Sequence, residues 1–544
     1  MSNTKTQNIN TVATSTLKGT DNVFVEQGGK LRRIPVSQFG SGGSGGVYVT
    51  PQQYGAKGDG VTDDTAAINE CLASNSLVYI PNGTYLIDAA IGVKPKSKQT
   101  VQLDANATLK GNYKTTAIDG TAVSRWQVIN CNAVENVVIC GGIIEGDKDE
   151  KDGDTSSDQK HGISINNSKN ITVEDCRVHG FRGDGMLVAT SIEANMNTNI
   201  KIAGCEIFDC LRHGITVAGV DGLLVKDVEI HDCNNVPYGC AIDIELHDAF
   251  EIFHNITLDG VKTYNTSLGI QNSPGESSGK FQNYVVRNCD IERICHNFDA
   301  DLDIHNSKIG KLVYSSPNRL RVYDSKIVEN TAFEDDFGAC YFYNCFFASA
   351  DIAPISFTST IKENAVAEVT FDRCTFETAV TDGSVDTTKA LVYASASPKK
   401  VSFDSCNIYL NNPACFGGVN SAVLDIANCY IRTKCGYATN TSALIGAFSH
   451  GVFVNNVFDI TDAPTTTRCW IAINATSYLS LKMIGNTFIG NGAFAGGIWD
   501  SIANTEVVCI NNVMRDYTAQ QAFGDIQSTV SFTNIGNITA DTTA

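Results

Sequence analysis

Proline is scarce in this sequence, 11 in 544 residues, and the 42% hydrophobic content is ample for a large core; together these exclude a proline-rich or otherwise disordered chain. No stretch approaches the ~18 consecutive apolar residues of a spanning helix. Basic residues are also in deficit. Forty Lys and Arg face 59 Asp and Glu, a formal charge of −19 with a pI near 4.9. No basic stripe interrupts that balance, so nucleic acid and anionic membrane are poor partners. The start, MSNTKTQNINTVATSTLKG, has no apolar core of the kind a secretory signal needs, so no such signal is expected. No Walker motif, dinucleotide fingerprint, HExxH or CxxC pair occurs, and neither a metal nor a cofactor is expected. The 19 cysteines are an odd number in a long chain, whereas disulfide frameworks concentrate in short secreted ones. They read as reduced, buried small hydrophobes made in a cytosol.

What is abundant is Gly, Asn, Asp, Ser and Thr, set between short runs in which apolar and polar residues alternate. That is strand periodicity with many tight turns. NVFVEQGGKLRRIPVSQF, within residues 1–39, predicts a hairpin with a glycine-bearing turn, and GSGGSGG at 40–46 is a flexible tether or an engineered scar. In residues 47–100, Asp63 or Asp64 can cap a helix over 64–74 that gathers Ala67, Ile68, Cys71 and Leu72 on one face. The strand LVYIPNGTYLI follows, turning at Pro81-Asn82-Gly83. Such a helix would close the open end of a strand-rich array.

From about residue 101 the chain repeats. ITVEDCRV, IKIAGCEI, YVVRNCDI, LDIHNSKI, VTFDRCTF and LKMIGNTF are examples, each with Asn, Asp or Gly at a bend and a small residue nearby. Marks at Cys176, Cys205, Val228, Gly260, Cys289, Ser307, Ser325, Cys345, Cys374, Cys406, Cys429, Asn456, Asn486 and Asn512 recur at about the length of one three-sided coil. The expected fold is all-β: a right-handed single-stranded parallel β-helix, a solenoid with a short capping helix and a small N-terminal attachment segment. Residues 101–350 would hold the chemistry and 351–544 further coils.

The run YGAKGDGVTDDTAAIN (54–69) resembles the opening signature of the pectate-lyase-like right-handed parallel β-helix superfamily, seen in polysaccharide-degrading enzymes and phage tailspikes. GDGM near 183, RHGITV near 212 and GCAIDIEL near 239 are similar to consecutive coils of that group. The resemblance, over roughly residues 47–350, implies the fold; the superfamily holds lyases, hydrolases, epimerases and silent binders. Residues 1–39 resemble the attachment pieces of phage or prophage tail proteins. This implies a tailspike-type depolymerase, a homotrimer in a virion tail, made in the host cytoplasm and joined to a tail or baseplate protein. A cytoplasmic or lysis-released enzyme is the alternative.

Aligned on the step into each strand, His161, Asp184 and His213 fall 23 and 29 residues apart and Cys240 follows after 27. Adjacent coils lie ~4.8 Å apart, so the first three would stack as one column, with substrate across the outward face of these coils. In GCAIDIEL, Ile242, Ile244 and Leu246 take core parity and Asp243 and Glu245 would point outward. Asp184, Asp243, Glu245 and His213 are therefore the candidate catalytic groups; Arg212, His161, Arg182, Glu145 and Asp147 are candidates for holding substrate. Two carboxylates suit a glycoside hydrolase, the expected chemistry; Arg with His suits a lyase acting beside a uronate carboxylate, the alternative. A catalytically silent receptor binder is the third reading. Against all three, Asp-Gly and His-Gly are ordinary turn pairs, and Glu145 and Asp147 open an acidic loop. Asp299, Asp301 and Asp303 lack the Gly and Glu of a calcium loop and read as outward strand residues.

Overall fold

A computed structural model describes residues 22–27, 30–35, 48–113, 125–148, 159–234, 239–272, 281–297, 300–334, 337–349, 353–358, 366–378, 391–394, 398–410, 416–417, 423–433, 450–459, 471–473, 480–489, 498–500, 506–515 and 531–540. The Gly/Ser tether and Asp299 lie outside them. The chain divides into two compact units, residues 1–220 with 226–239, and residues 221–225 with 240–544. Among the described residues, no helix is long and apolar enough to cross a membrane.

The expected hairpin forms, with Asn22–Gln27 antiparallel to Lys30–Pro35. The helix spans Thr65–Ser74 and buries Thr65, Ile68, Cys71 and Leu72. Ala67 is only half-buried. Asp64 stands before the helix, but its carboxylate accepts the backbone N–H groups of Lys57 (2.6 Å) and Gly58 (3.0 Å). It ties the preceding glycine loop down; Asp63 accepts from Thr65 N–H at 3.1 Å instead. LVYIPNGTYLI is two strands, Leu77–Ile80 and Gly83–Asp88.

In both units every strand of the repeat pairs in parallel with its counterpart one coil on, the ladder of a right-handed parallel β-helix. In the first unit one face runs through Glu135–Cys140, Lys169–Glu174 and Thr198–Ala203. A second runs through Ala107–Asn112, Ile143–Glu145, Arg177–His179, Glu206–Phe208 and Glu229–His231. A third runs through Trp126–Asn132, Lys160–Asn166, Met186–Ala189 and His213–Ala218. Ile, Val and Leu of each face point inward, nearly all fully buried.

The repeated bend has a definite backbone cause. Its first residue has positive φ: Asp175, Asp227, Asn288, Asn306, Asp324, Asn344, Asn428, Asn455 and Asn511 lie between 50° and 58°, except Asn306 at 45°. Asn, Asp and Gly tolerate that conformation best. The residue after it turns inward, where its backbone N–H meets the side chain of the equivalent residue one coil on. Cys289 N–H donates to Ser307 Oγ, Ser307 N–H to Ser325 Oγ, both at 3.1 Å, and Cys429 N–H to Asn456 Oδ1 at 2.9 Å. Cys, Ser and Asn suit this place because they are small and carry an acceptor, although Val228 and Val261 fill it by packing alone. Near the end of the chain Asn456, Asn486 and Asn512 stack as a buried amide ladder. Gly260 is therefore not the inward residue of its coil, as its spacing suggested. With φ of 72° it occupies the bend, and Val261 fills the core.

The sixteen cysteines among the described residues are free thiols, and all but the half-exposed Cys140 are buried. In the second unit the 18-residue coils arise because two faces fuse into single long strands, Asp290–His296, Lys308–Tyr314 and Lys326–Phe333. His296 is fully buried there. Asn272 Nδ2 donates to its Nδ1 and its Nε2 donates to the carbonyl of Ala300, both at 3.0 Å, and burial pushes its pKa down to about 4.

Candidate functional site

In the first unit the third face opens with the predicted column. Ile163 pairs with Met186 and Met186 with Ile215, so His161, Asp184 and His213 stand two residues earlier in consecutive coils. Gly162 N–H donates to Asp184 O at 3.1 Å and Gly185 N–H to His213 O at 2.9 Å. The coils approach so closely here that a Cβ at Gly162 would lie 2.4 Å from the Gly185 carbonyl, and one at Gly185 2.6 Å from Ile207. Glycine follows His161 and Asp184 because nothing larger fits there.

The column is not an exposed row, and here the sequence expectation is corrected. His161 and Asp184 are 0% exposed and His213 is 4%. They share the parity of Ile163, Met186 and Ile215, two residues on, and so face the interior at the strand's start. Asp184 Oδ2 lies 3.3 Å from His161 Nδ1, and Oδ1 lies 3.5 Å from Nε of Arg212, whose side chain keeps 18% exposure. His161 Nδ1 also faces the backbone N–H of Asp184 at 3.1 Å. One nitrogen cannot serve both: neutral at Nδ1 it accepts from the backbone, and protonated there it donates to the carboxylate. Burial raises the Asp184 pKa, but His161, Arg212 and His213 together outweigh it and hold the carboxyl below its ordinary range. Asp184 is thus an anchored anion rather than a proton donor near neutrality.

Around this corner the structure places the other first-unit candidates. Glu145 pairs with Lys110 at 3.3 Å. Asp147 is 7% exposed. The Arg182 Nε is buried without a hydrogen-bond acceptor. Arg182 and Arg212 sit in consecutive coils, where Leu211 N–H donates to Phe181 O at 2.8 Å. Lys148 contacts Asp209.

Two features escaped sequence reading. Lys160 is 1% exposed, its ammonium 5.4 Å from the Tyr113 ring and 6.0 Å from the Trp126 ring. Burial, then the charge of Asp147, raises the Tyr113 phenol well above its usual value. The other is a stack on the second face: His179 on Phe208 at 4.7 Å and Phe208 on His231 at 5.1 Å. Burial pulls the His179 pKa down. The recurring ends of RVHG, EIFD and EIHD were the available signal.

In the second unit, Cys240–Ile244 carries Asp243 between buried Ile242 and Ile244. Asp243 has outward parity but is only 3% exposed, and Leu246 lies past the strand, half-buried. Glu245, 19% exposed, meets Nε2 of the exposed His247 at 2.7 Å. Glu251 accepts His247 N–H at 2.6 Å and Asp248 N–H at 3.2 Å, and burial raises its pKa. The described Asp301 and Asp303 pair with Arg319 and Arg321 one coil on.

Residues 48–121 match the family described as rhamnogalacturonase A/epimerase, pectate lyase-like, and residues 116–291 match the right-handed β-helix region. The chain is 28% identical over 218 residues to the uncharacterized protein YclG of Bacillus subtilis (strain 168), covering 35% of this chain and 37% of that one. It is 25% identical over 296 residues to the pre-neck appendage protein of Bacillus phage phi29, covering 44% and 33%. It is 24% identical over 212 residues to depolymerase 1, capsule KN3-specific, of Klebsiella phage KN3-1, covering 37% and 25%. The aligned part is thus well under half the length of each relative.

Proposed function

We propose that this right-handed β-helix protein, with its pectate-lyase-like opening segment, is a phage-type appendage that grips and cleaves a bacterial surface polysaccharide. One observation carries the reading: the fully buried Asp184 carboxyl lies 3.5 Å from the Nε of the partly exposed Arg212, with its pKa held below the ordinary range. A buried charge costs several kcal/mol, so it is poor support for stability alone, and perturbed ionisable groups cluster where chemistry occurs. Asp184 holds the Arg212 guanidinium in one orientation. With Arg182 and Lys148 at the same corner, Arg212 offers donors to the carboxylate of a sugar acid. His213 beside it, stacked on Asp184, is the proton-transfer group. This favours elimination beside a uronate over a hydrolase that uses Asp184 as its acid, since a carboxyl held below its ordinary range is ionised at neutral pH. The phage relatives support the appendage and polysaccharide parts of the reading. Residues 1–39 then serve as the attachment piece to the phage tail, and the protein acts as a homotrimer in the virion.

The test is incubation of the full chain with capsular, cell-wall and plant polysaccharides. Rising ultraviolet absorbance (the unsaturated product of elimination) is the expected result. New reducing ends without absorbance would move the chemistry to hydrolysis by other carboxylates. Retention of a glycan without either product would leave a receptor binder.

A further inference from the structure

We infer that the second unit carries a separate glycan-holding subsite on the outer surface of the face built by Leu302–His305, Leu320–Tyr323, Ala339–Tyr343 and Glu368–Asp372. The inference rests on the polysaccharide reading above but uses none of its residues. Two outward columns run along this face in strict register. One is Arg287, His305, Tyr323, Tyr343 and Asp372; the other is Asp303, Arg321 and Tyr341.

The rings do not form a single pile. His305 stacks on Tyr323 at 5.0 Å, Tyr341 meets Tyr323 edge-on at 61°, and Tyr341 and Tyr343 lie 6.5 Å apart. Ring faces as well as edges therefore reach the surface. The polar heads of Tyr341 and Tyr343 are fixed. Tyr341 Oη donates to Asp372 at 2.9 Å, and Arg373 Nη1 donates to Tyr343 Oη at 2.7 Å with its guanidinium 5.3 Å from that ring. Arg321 grips Asp303 through two bonds of 2.6 and 3.0 Å, and Arg319 grips Asp301 at 2.8 and 3.1 Å. Burial, then the bond to Asp372, raises the Tyr341 pKa to about 12, so its proton stays in place as a donor.

Such a surface suits a pyranose chain. Tyr rings take the apolar C–H faces of sugars at low entropic cost, and paired Asp and Arg offer acceptors and donors to hydroxyl groups. All these side chains are partly exposed, and the patch has no large aliphatic centre of the kind a protein interface is built on. The coil rise of ~4.8 Å is close to the length of one sugar in an extended polymer, so a chain lying along the face meets a similar set of groups at each step. The ligand class is a neutral or sparsely charged stretch of polysaccharide, since the Asp–Arg pairs already neutralise one another.

The experiment is native affinity electrophoresis of the full chain through gels containing each polysaccharide of the panel, with Tyr341→Ala/Tyr343→Ala beside the wild type. Mass in solution and thermal melting are recorded for both. The expected result is retardation of the wild type by at least one polysaccharide. The double variant should bind about tenfold more weakly, with unchanged mass and melting and unchanged turnover of short oligosaccharides. Equal retardation of the two overturns the subsite and leaves the proposed function standing. A wild type retarded by no polysaccharide overturns the function and the subsite with it. A variant that changes mass shows the patch to be an interface between copies, which also overturns the subsite.

Discussion

Replacing Asp184 with asparagine keeps the shape of the side chain and removes the charge that His161 and Arg212 share. The carboxylate is fully buried, 3.3 Å from one partner and 3.5 Å from the other. Breaking a buried pair costs about 3–5 kcal/mol when the remaining charge is stranded. Here Arg212 keeps 18% exposure and can turn towards water, and the new amide can donate to His161 Nδ1. The expected loss is therefore smaller, about 2 kcal/mol at pH 7. Its pH dependence has a definite sign. The folded pKa of Asp184 is depressed, so its stabilisation is complete above the unfolded value of ~3.9 and is lost as pH falls through the lower folded value. Asp184→Asn should melt below the wild type at pH 7, and the gap should close as the pH is taken below about 4. Melting curves across that range check it, read at a fixed heating rate because a chain of two units need not unfold in one step. Turnover of the cleaved polysaccharide should fall about 10²-fold, because Arg212 loses its anchor. A stability gap that stays constant from pH 7 to pH 3 would refute the view that Asp184 is ionised and paired.

Arg212→Ala should raise KM for an acidic polysaccharide at least tenfold; because it leaves the buried Asp184 carboxylate with only the imidazoles beside it, it should also cost about 2 kcal/mol of stability at pH 7, and steady-state kinetics and melting separate the two effects. His296 is held neutral at a pKa of about 4 against ~6.5 unfolded. The second unit should lose about 3 kcal/mol as pH falls from 6.5 to 4, and urea titrations of His296→Gln should show a flatter acid slope. Asn486→Ala strips the bonds to Asn456, Phe453 O and Asn512, leaving buried groups unsatisfied. It should cost about 3 kcal/mol, whereas Asn306→Ala, which loses one exposed ladder bond and a favoured bend residue, should cost about 1–2 kcal/mol by the same melting measurement.

The repeat, the hairpin and the capping helix were legible because each rests on local chemistry: alternation, a Gly-Gly turn, an acidic residue ahead of an apolar face. The column of His161, Asp184 and His213 was legible in register, since counting from the glycine step is enough. Its burial was misread. The same period of two that puts Ile163 and Ile215 inside puts His161 and His213 inside, and Asx-turn habits at Asp184-Gly185 obscured it. For Asp243 parity pointed outward and the side chain is nonetheless 3% exposed, which no count within one strand can reveal. The bend at Gly260 misled by one place because glycine serves both as the positive-φ residue and as a small one. Lys160 against Tyr113 and Trp126 depends on partners 47 and 34 residues away in sequence, beyond any local pattern.

At many bends the inward Cys, Ser or Asn accepts a backbone N–H from the coil before, so the vertical pitch is held there by a short, recurring segment. The remaining arc of each coil is under no such constraint, and successive bends lie as few as 18 residues apart between Asn288 and Asn306 and as many as 34 between Gly141 and Asp175. Structural clamping and surface invention are thus assigned to different stretches of the same turn. Engineered variants with altered glycan recognition should therefore be sought by lengthening or exchanging the arcs, with the bend tripeptides left untouched. In such a scaffold the vocabulary can be rewritten while the grammar holds.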